Sequence, residues 1–246
     1  MKLIVFAFLL QLISFQAYAN DDARNAYSKG DYAVAFQLFH KEAEEGKPES
    51  QFRLALMYRE GQGTVKNLQK AIEWHKKAVQ QNYRPSIHEL GVTYLYGYGT
   101  NANQTKALEY FEKGHELNYA LSTEALARIY IDGEGGAEID FNKGMPYLMR
   151  SIEDGMPNSF YMLAHMYFRG IIVPENVDRG LLLLIEAANE GMEKAEKEIK
   201  RIKENLEIPL DQYLKEIVGT SVPLDEIKIC PSPSIKRYNC TITWDD

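Results

Sequence analysis

The stretch PESQFRLALMYREGQGTVKNLQKAIEWHKKAVQQNY, from Pro48 to Tyr83, predicts a helix, a Gly-containing turn and a second helix. The chain repeats this pattern three more times. The residues that recur in phase include a Tyr, which is found as Tyr58, Tyr94, Tyr130 and Tyr167. Successive Tyr residues are therefore 36, 36 and 37 positions apart. A fixed period of this length indicates stacked helical hairpins.

The start of each second helix carries its own signal. An Asn or Asp at this point can cap the first helical turn, and it recurs as Asn67, Asn103, Asp140 and Asn176. A cation follows three residues later, as Lys70, Lys106, Lys143 and Arg179. Because a cation near a helix N-terminus opposes the helix dipole, we expect each to contact a carboxylate or carbonyl elsewhere.

The loop inside each hairpin is predicted to need positive φ angles, which favour glycine. It contains Gly61 and Gly63 in the first unit, and the second and third units have glycines at the equivalent positions. The fourth unit has Ile172 where a second Gly is expected.

These residues form a pattern that resembles the Sel1-like repeat, a relative of the tetratricopeptide repeat with a longer loop inside the hairpin. The pattern is Leu-Gly-x-x-Tyr-x-x-Gly-x-Gly, then Asp/Asn-x-x-Lys-Ala-x-x-Trp, and Leu54–Trp74 and Leu90–Tyr110 match it almost fully. The third and fourth units depart from it at Gly144 and Gly180. The resemblance covers residues 23–192 and implies an all-α fold, a right-handed α/α solenoid of helical hairpins. Its motifs indicate this fold and no particular activity.

We predict five segments along the chain, the third of which contains the four repeats. Residues 1–19 form a signal peptide, with Lys2 before an apolar stretch and Ala17-Tyr18-Ala19 as the cleavage site. The alternative for this stretch is a first hydrophobic helix of the fold. The other segments are an N-terminal capping hairpin (20–47), four repeats (48–83, 84–119, 120–156 and 157–192), capping helices (193–218) and a tail (219–246). A signal peptide predicts a periplasmic or secreted protein, with no membrane insertion after its removal.

The tail has a different pattern from the repeats. Residues 227–230 and 238–244 alternate apolar and polar residues, which predicts two short strands. Cys230 and Cys240 are the only cysteines, and in an exported protein such a pair indicates one disulfide. We therefore predict a disulfide-stapled β-hairpin or an irregular tail. A redox role would favour Cys-x-x-Cys spacing, which these residues lack.

No catalytic residue, metal site or cofactor is predicted, so the chain is not expected to be an enzyme. His88-Glu89 and His115-Glu116 begin like a zinc-protease helix, but Val92 and Tyr119 stand where that motif needs its second His. The net charge of −7 argues against a nucleic-acid partner, which requires a basic surface.

The predicted functional feature is the concave face, which is lined by the first helix of each hairpin and binds partners in many repeat proteins. One register along these helices reads Glu60, Tyr96, Asp132 and Arg169. The candidate partner-binding residues mix aromatic, basic and aliphatic types, as protein interfaces do. They are Phe52, Arg53, Leu56, Arg59, His88, Tyr96, Arg128, Tyr161, His165 and Phe168. The alternative is that Phe52, Tyr161 and Phe168 pack between neighbouring hairpins.

The resemblance and the signal peptide together imply a non-catalytic protein-binding scaffold of the bacterial cell envelope, either a monomer or a weak oligomer. One role known among similar proteins is that of an immunity protein, which neutralises a toxin acting in the periplasm. An alternative is an adaptor or host-interaction factor in an envelope or secretion assembly. A hydrolase acting on cell-wall material is a further alternative, with no arranged nucleophile and base to support it. The expected partner is another protein, a toxin or an envelope component.

Overall fold

A computed structural model describes residues 23–205 together with residues 210, 212 and 214. This part of the chain contains ten α-helices of 13 residues each, and no strand is found in it. Residues 23–28 are also helical, and a 3₁₀ turn (Glu134–Gly136) lies between α6 and α7. The ten helices are α1 (Tyr32–Glu44), α2 (Pro48–Glu60), α3 (Leu68–Gln80), α4 (Arg84–Tyr96), α5 (Gln104–Glu116), α6 (Ala120–Asp132), α7 (Phe141–Glu153), α8 (Pro157–Arg169), α9 (Val177–Asn189) and α10 (Glu193–Asn205).

Three predictions lie outside the described residues and stay predictions. They are the signal peptide of residues 1–19, the disulfide between Cys230 and Cys240, and the hairpin or irregular tail of residues 219–246.

The chain divides into two compact units, and the boundary between Ser122 and Thr123 falls inside α6. In the first unit, α2 packs most extensively against α3, and α4 against α5. In the second unit, α8 packs most extensively against α9, and the rings of Tyr130 and Tyr147 join α6 to α7 at 6.1 Å. Each of these pairs is the first and second helix of one predicted repeat, so the predicted helical hairpins are confirmed within each unit.

The core of a hairpin depends on matched volumes at facing positions. A Cβ atom at Gly91 in α4 would lie 2.5 Å from the Cε1 atom of Phe111 in α5, whose side chain is completely buried. The first repeat has a larger residue, Ala55, at the first position and a smaller ring, His75, at the second. Because protein interiors are close-packed, an increase on one side must be matched by a decrease on the other.

The predicted N-caps are confirmed at α3, α5, α7 and α9. The side chain of Asn67 accepts a hydrogen bond from the backbone N–H of Lys70 at 3.0 Å, and the backbone N–H of Asn67 donates to the carbonyl of Tyr58 at 2.8 Å. The same two bonds recur at Asn103, Asp140 and Asn176. One residue in each repeat therefore starts the second helix and also joins it to the end of the first.

The recurring cations have an aromatic partner that we did not predict. The ammonium of Lys70 lies 5.2 Å from the ring centroid of Tyr58, and Lys106 lies at the same distance from Tyr94. Equivalent cation–π contacts join Lys143 to Tyr130 and Arg179 to Tyr167. The repeated cation thus lies over the negative face of the repeated ring. Lys143 also forms an ion pair with Asp140 at 3.3 Å.

The loops confirm the predicted positive φ angles. Gly63 (φ 68°), Gly99 (72°) and Gly135 (70°) hold the same left-handed conformation at equivalent positions. Ile172 holds it in the fourth repeat, with φ 67°. This conformation is unusual for any residue with a side chain and is an outlier for a β-branched one.

The third repeat contains one residue more than its neighbours, which explains the change in period from 36 to 37. The backbone N–H of Asp140 bonds to the carbonyl of Tyr130, ten residues before it, whereas Asn67 bonds to Tyr58, nine residues before it. The extra residue lies in the loop that contains the 3₁₀ turn Glu134–Gly136. Asp140 therefore caps α7 in the same way as Asn67 caps α3, despite the extra residue.

Candidate protein-interaction site

An open groove of about 440 Å³ lies in the second unit. Helices α6, α7, α8 and α10 supply its side chains together with two loops. The lining residues are Ile131, Asp132, Ile139, Phe141, Tyr161, Met162, His165, Met166, Arg169, Ile171 and Lys194. A mixed aromatic, aliphatic and charged lining is typical of a surface that binds protein.

A polar cluster joins α8 to α10 beside the groove. The hydroxyl of Tyr161 donates to Glu198 Oε2 at 2.8 Å, and His165 Nε2 lies 3.3 Å from the same oxygen. The rings of Tyr161 and His165 are 4.4 Å apart, and the ammonium of Lys194 lies 4.5 Å from the Tyr161 ring centroid. These contacts hold the aromatic side chains in fixed orientations, which reduces the entropy lost when a ligand binds.

The Tyr161 hydroxyl is a poor candidate for acid–base work at neutral pH. Desolvation by burial and the neighbouring Glu198 carboxylate raise its pKa to about 12. A general base must lose its proton near the operating pH, and Tyr161 keeps its proton there. In this groove Tyr161 can therefore act as a hydrogen-bond donor and as an aromatic surface.

Two cations and one carboxylate surround the groove. Partial burial raises the pKa of Asp132, although the nearby Arg128, Lys194 and His165 favour its charged form. Within the described part of the chain, no carboxylate forms an ion pair with Arg169 or Lys194. These two side chains can therefore meet a carboxylate supplied by a partner without first breaking an ion pair in this region.

The first unit contains six of the ten predicted binding residues, and most of them contact their own unit. Phe52 packs against the rings of His75 and Tyr83, with centroids 5.7 and 5.6 Å away. The guanidinium of Arg53 lies over Phe52 at 5.9 Å. Leu56 is half-buried.

The remaining three residues of the first unit are held to different degrees. Arg59 forms ion pairs with Glu89 at 2.6 Å and Glu60 at 2.8 Å, which joins α2 to α4. His88 is half-buried and packs against the rings of Phe111 and Tyr119. Tyr96 is 44% exposed and stacks on the exposed ring of Tyr98 at 5.6 Å. Tyr96 is thus the most accessible aromatic candidate in this unit.

The other four predicted binding residues belong to the second unit, where only two of them line the groove. Tyr161 and His165 line the groove, whereas Arg128 pairs with Glu134 and Phe168 packs inside its own hairpin. A Cβ atom at Gly180 in α9 would lie 2.3 Å from the Phe168 ring, so this ring occupies the space that the glycine leaves. The alternative placed Phe168 between neighbouring hairpins, whereas this contact lies within one hairpin. Partner binding by the ten residues stays a prediction.

Several lining residues were not among the sequence candidates. Asp132 and Arg169 share the register of Tyr96 but were not chosen, and Ile139 and Ile171 belong to loops. Lys194 lies in α10, which begins 36 residues after α8, the same interval that separates α2 from α4. The repeat period therefore contained the signal that α10 is another first helix, in a segment we predicted only as capping.

Two classes of feature are not found in the described residues. No helix there is long and apolar enough to cross a membrane. No group of three or more His, Cys, Asp or Glu side chains in this region could hold a metal ion.

Comparisons with known proteins address the fold and the family. The Sel1 repeat family matches residues 48–83, 85–119 and 160–192. An uncharacterized protein of Neisseria meningitidis serogroup B is 39% identical over 56 residues. This match covers 23% of the chain and 12% of that relative, so the chain spans only a small part of its length.

Solved structures extend the similarity over most of the chain. A Sel1 repeat protein from Oxalobacter formigenes is 26% identical with a TM-score of 0.65, covering 71% of each chain. A protective antigen of uropathogenic Escherichia coli with an SLR fold is 23% identical with a TM-score of 0.65, covering 85% of this chain and 50% of that one. An immunity protein of Pseudomonas aeruginosa is 19% identical with a TM-score of 0.51, and the match covers 72% of this chain and 68% of that one.

These similarities confirm the predicted all-α fold of stacked helical hairpins. Sel1 repeats are protein-interaction scaffolds and are generally non-catalytic. The chain therefore contains three Sel1 repeats, and its fold is similar to that of a solved Sel1 repeat protein.

Proposed function

We propose that this chain is a non-catalytic scaffold that binds another protein through the groove of its second unit. The observation that carries the proposal is the groove itself, in which the fixed aromatic ring of Tyr161 lies beside aliphatic side chains and two cations. Binding energy at protein interfaces concentrates on aromatic and basic anchors of this kind. Tyr96 and Tyr98 offer a second accessible aromatic surface, in the first unit.

The chemistry of the groove supports binding better than turnover. His165 and Glu198 are the arrangement closest to an acid–base pair, at 3.3 Å. The described lining residues include no Ser, Thr or Cys that such a pair could activate as a nucleophile. The cell-wall hydrolase alternative therefore gains no support from this site.

The more specific proposal is that the bound protein is a toxin acting in the periplasm and that this chain is its immunity protein. The predicted signal peptide of residues 1–19 would bring the chain to the periplasm, and a net charge of −7 suits a basic partner. The Pseudomonas aeruginosa immunity protein shares the fold at 19% identity, so it supports the architecture of the proposal and not the identity of the partner.

Site-specific photo-crosslinking in the producing cell tests the binding. A photoreactive phenylalanine analogue at Arg169, an exposed residue of the groove, is expected to give a discrete covalent adduct with another protein. The matched control carries the analogue at Lys76, an exposed residue of α3 in the first unit, and is expected to give none. Adducts of equal yield at both positions, or at neither, would contradict binding in the groove.

The identity of the adduct then separates the two roles. For immunity, the crosslinked protein is a toxin, and co-expression of this chain restores growth to cells that express that toxin in the periplasm. For the adaptor or host-interaction role, the crosslinked protein is an envelope, secretion or host component, and co-expression protects against no toxin.

A further inference from the structure

Ile172 adopts a conformation that the fold elsewhere assigns to glycine. Its φ of 67° matches those of Gly63, Gly99 and Gly135 at the same loop position. In the left-handed region the Cβ of an L-residue approaches the following carbonyl, and a β-branched side chain makes this worse. The chain therefore contains a strained residue at a position where glycine satisfies the loop three times.

The surroundings of Ile172 do not explain the strain by packing. The side chain is 56% exposed, so little of it contributes to the core. At Gly63, by contrast, a Cβ atom would lie 2.1 Å from the carbonyl oxygen of Tyr32, which excludes any side chain. Strained residues that the core does not require are concentrated at functional sites.

Ile172 directly follows, in the chain, a residue that lines the groove. Ile171 lines it directly, and Ile139, which is 51% exposed, lines it from the preceding loop. We call Ile139, Ile171 and Ile172 the aliphatic rim. Two of the three, Ile139 and Ile172, are exposed, and exposed aliphatic side chains close to a concave site are typical of surfaces that bind other molecules.

Two positively charged side chains lie close to the aliphatic rim in the chain or in the groove. Arg169 lies three residues before Ile172, and Lys194 lies on the groove from α10. Neither forms an ion pair with a carboxylate in the region that the structure describes. A partner with a carboxylate close to its apolar side chain would complement both features.

We infer that the aliphatic rim receives a large aliphatic or aromatic side chain of the partner polypeptide, while a carboxylate within a few residues of it reaches Arg169 or Lys194. Ile172 is the residue that makes the rim specific for an apolar side chain, and its strain is retained for that contact. This inference rests on the proposed protein-binding function and names the partner chemistry at the same groove.

A random dodecapeptide library displayed on phage and selected on the full chain tests the inference. The expected enriched sequences place an aliphatic or aromatic residue within three positions of Asp or Glu. A synthetic peptide with the most enriched sequence is then titrated against the wild type and variants by fluorescence anisotropy. Thermal unfolding of each variant is measured in parallel.

The variants separate binding from stability. Ile172→Gly is expected to weaken the peptide by at least about fivefold without lowering Tm, because glycine suits the left-handed conformation. Ile172→Val keeps an aliphatic β-branched side chain and is expected to bind within about twofold of the wild type. Arg169→Glu combined with Lys194→Glu is expected to weaken binding by at least about tenfold. The matched control is Val65→Gly, which removes an aliphatic side chain that is 85% exposed in a first-unit loop, and is expected to bind unchanged.

Three results would overturn the inference. One is a selection with no enrichment of apolar–acidic sequences. Another is an Ile172→Gly variant that binds as well as the wild type or unfolds at a clearly lower temperature. The third is concentration-dependent self-association that Ile172→Gly abolishes, which would make a second copy the occupant of the rim. If the Arg169 adduct is still formed with another protein in any of these cases, the proposed function stands and only the rim chemistry is wrong.

Discussion

His75 should make the first unit sensitive to acid. Its side chain is 2% exposed, its Nδ1 lies 3.1 Å from Ser86 Oγ, and the ring of Phe52 covers it at 5.7 Å. Desolvation by burial, followed by the positive charge of Arg59, lowers the pKa of His75 to about 3. The folded protein therefore keeps this imidazole neutral at pH values where the unfolded chain protonates it.

The direction and size of the effect follow from the two pKa values. The unfolded imidazole has a pKa of about 6.5, so unfolding takes up a proton at any pH between about 3 and 6.5. Above about pH 6.5 the imidazole is neutral in both the folded and the unfolded protein, so protonation of His75 costs no stability. As the pH falls from about 6.5 toward about 3, protonation of the unfolded chain lowers the free energy of unfolding. Each pH unit in this window costs about 1.4 kcal/mol, so a change from about pH 7.5 to about pH 5 should cost about 2 kcal/mol.

Urea unfolding of the wild type and of His75→Gln at these two pH values measures the effect. Glutamine can still bond to Ser86 but does not titrate, so the difference between the two proteins isolates His75. Fluorescence of Trp74, which is buried beside His75 in α3, reports unfolding of this unit. The wild type should lose about 2 kcal/mol more than His75→Gln on acidification. An equal loss in both proteins would refute a buried, neutral His75.

Three further predictions concern packing, capping and the groove. Gly91→Ala should lower the free energy of unfolding by about 1–3 kcal/mol because its Cβ would enter the space of the Phe111 ring, and urea unfolding of a double variant with Phe111→Leu should show partial recovery. Asn103→Ala should cost about 1 kcal/mol in the same assay through loss of the α5 N-cap, and Asn103→Ser should recover most of it. Tyr161→Phe should remove one phenol that ionises near pH 12 from the ultraviolet absorbance titration and, by breaking the bond to Glu198, cost about 1 kcal/mol in urea unfolding. Loss of a phenol that ionises at about pH 10 instead would contradict the hydrogen bond.

The repeat period predicted the hairpins, their caps and the glycine positions, because each depends on interactions within a few residues along the chain. Asn67 illustrates this, since its capping bond spans three residues and its bond to Tyr58 spans nine. The aromatic partner of Lys70 was not predicted. Four cations in the same register required a partner in the same register, and the repeated Tyr met that condition.

The candidate surface was less accessible to sequence reasoning. The register placed Tyr161 and Phe168 together on one helix as accessible aromatics, but each has a different neighbour. Gly180 leaves space for Phe168 inside the hairpin, whereas Glu198 of α10 holds Tyr161 beside the groove. Neither neighbour belongs to the pattern that identified the two aromatic residues.

The amino-acid sequence by itself determined the all-α repeat architecture, since periodic helix signals, caps and left-handed loop positions are encoded locally. The tertiary structure alone decided which side chains of the first helices fill the hairpins and which line the groove. That choice depends on the volume and charge of residues on other helices. For the same reason, the strain at Ile172 can be interpreted only together with the positions of Ile171, Ile139 and Arg169.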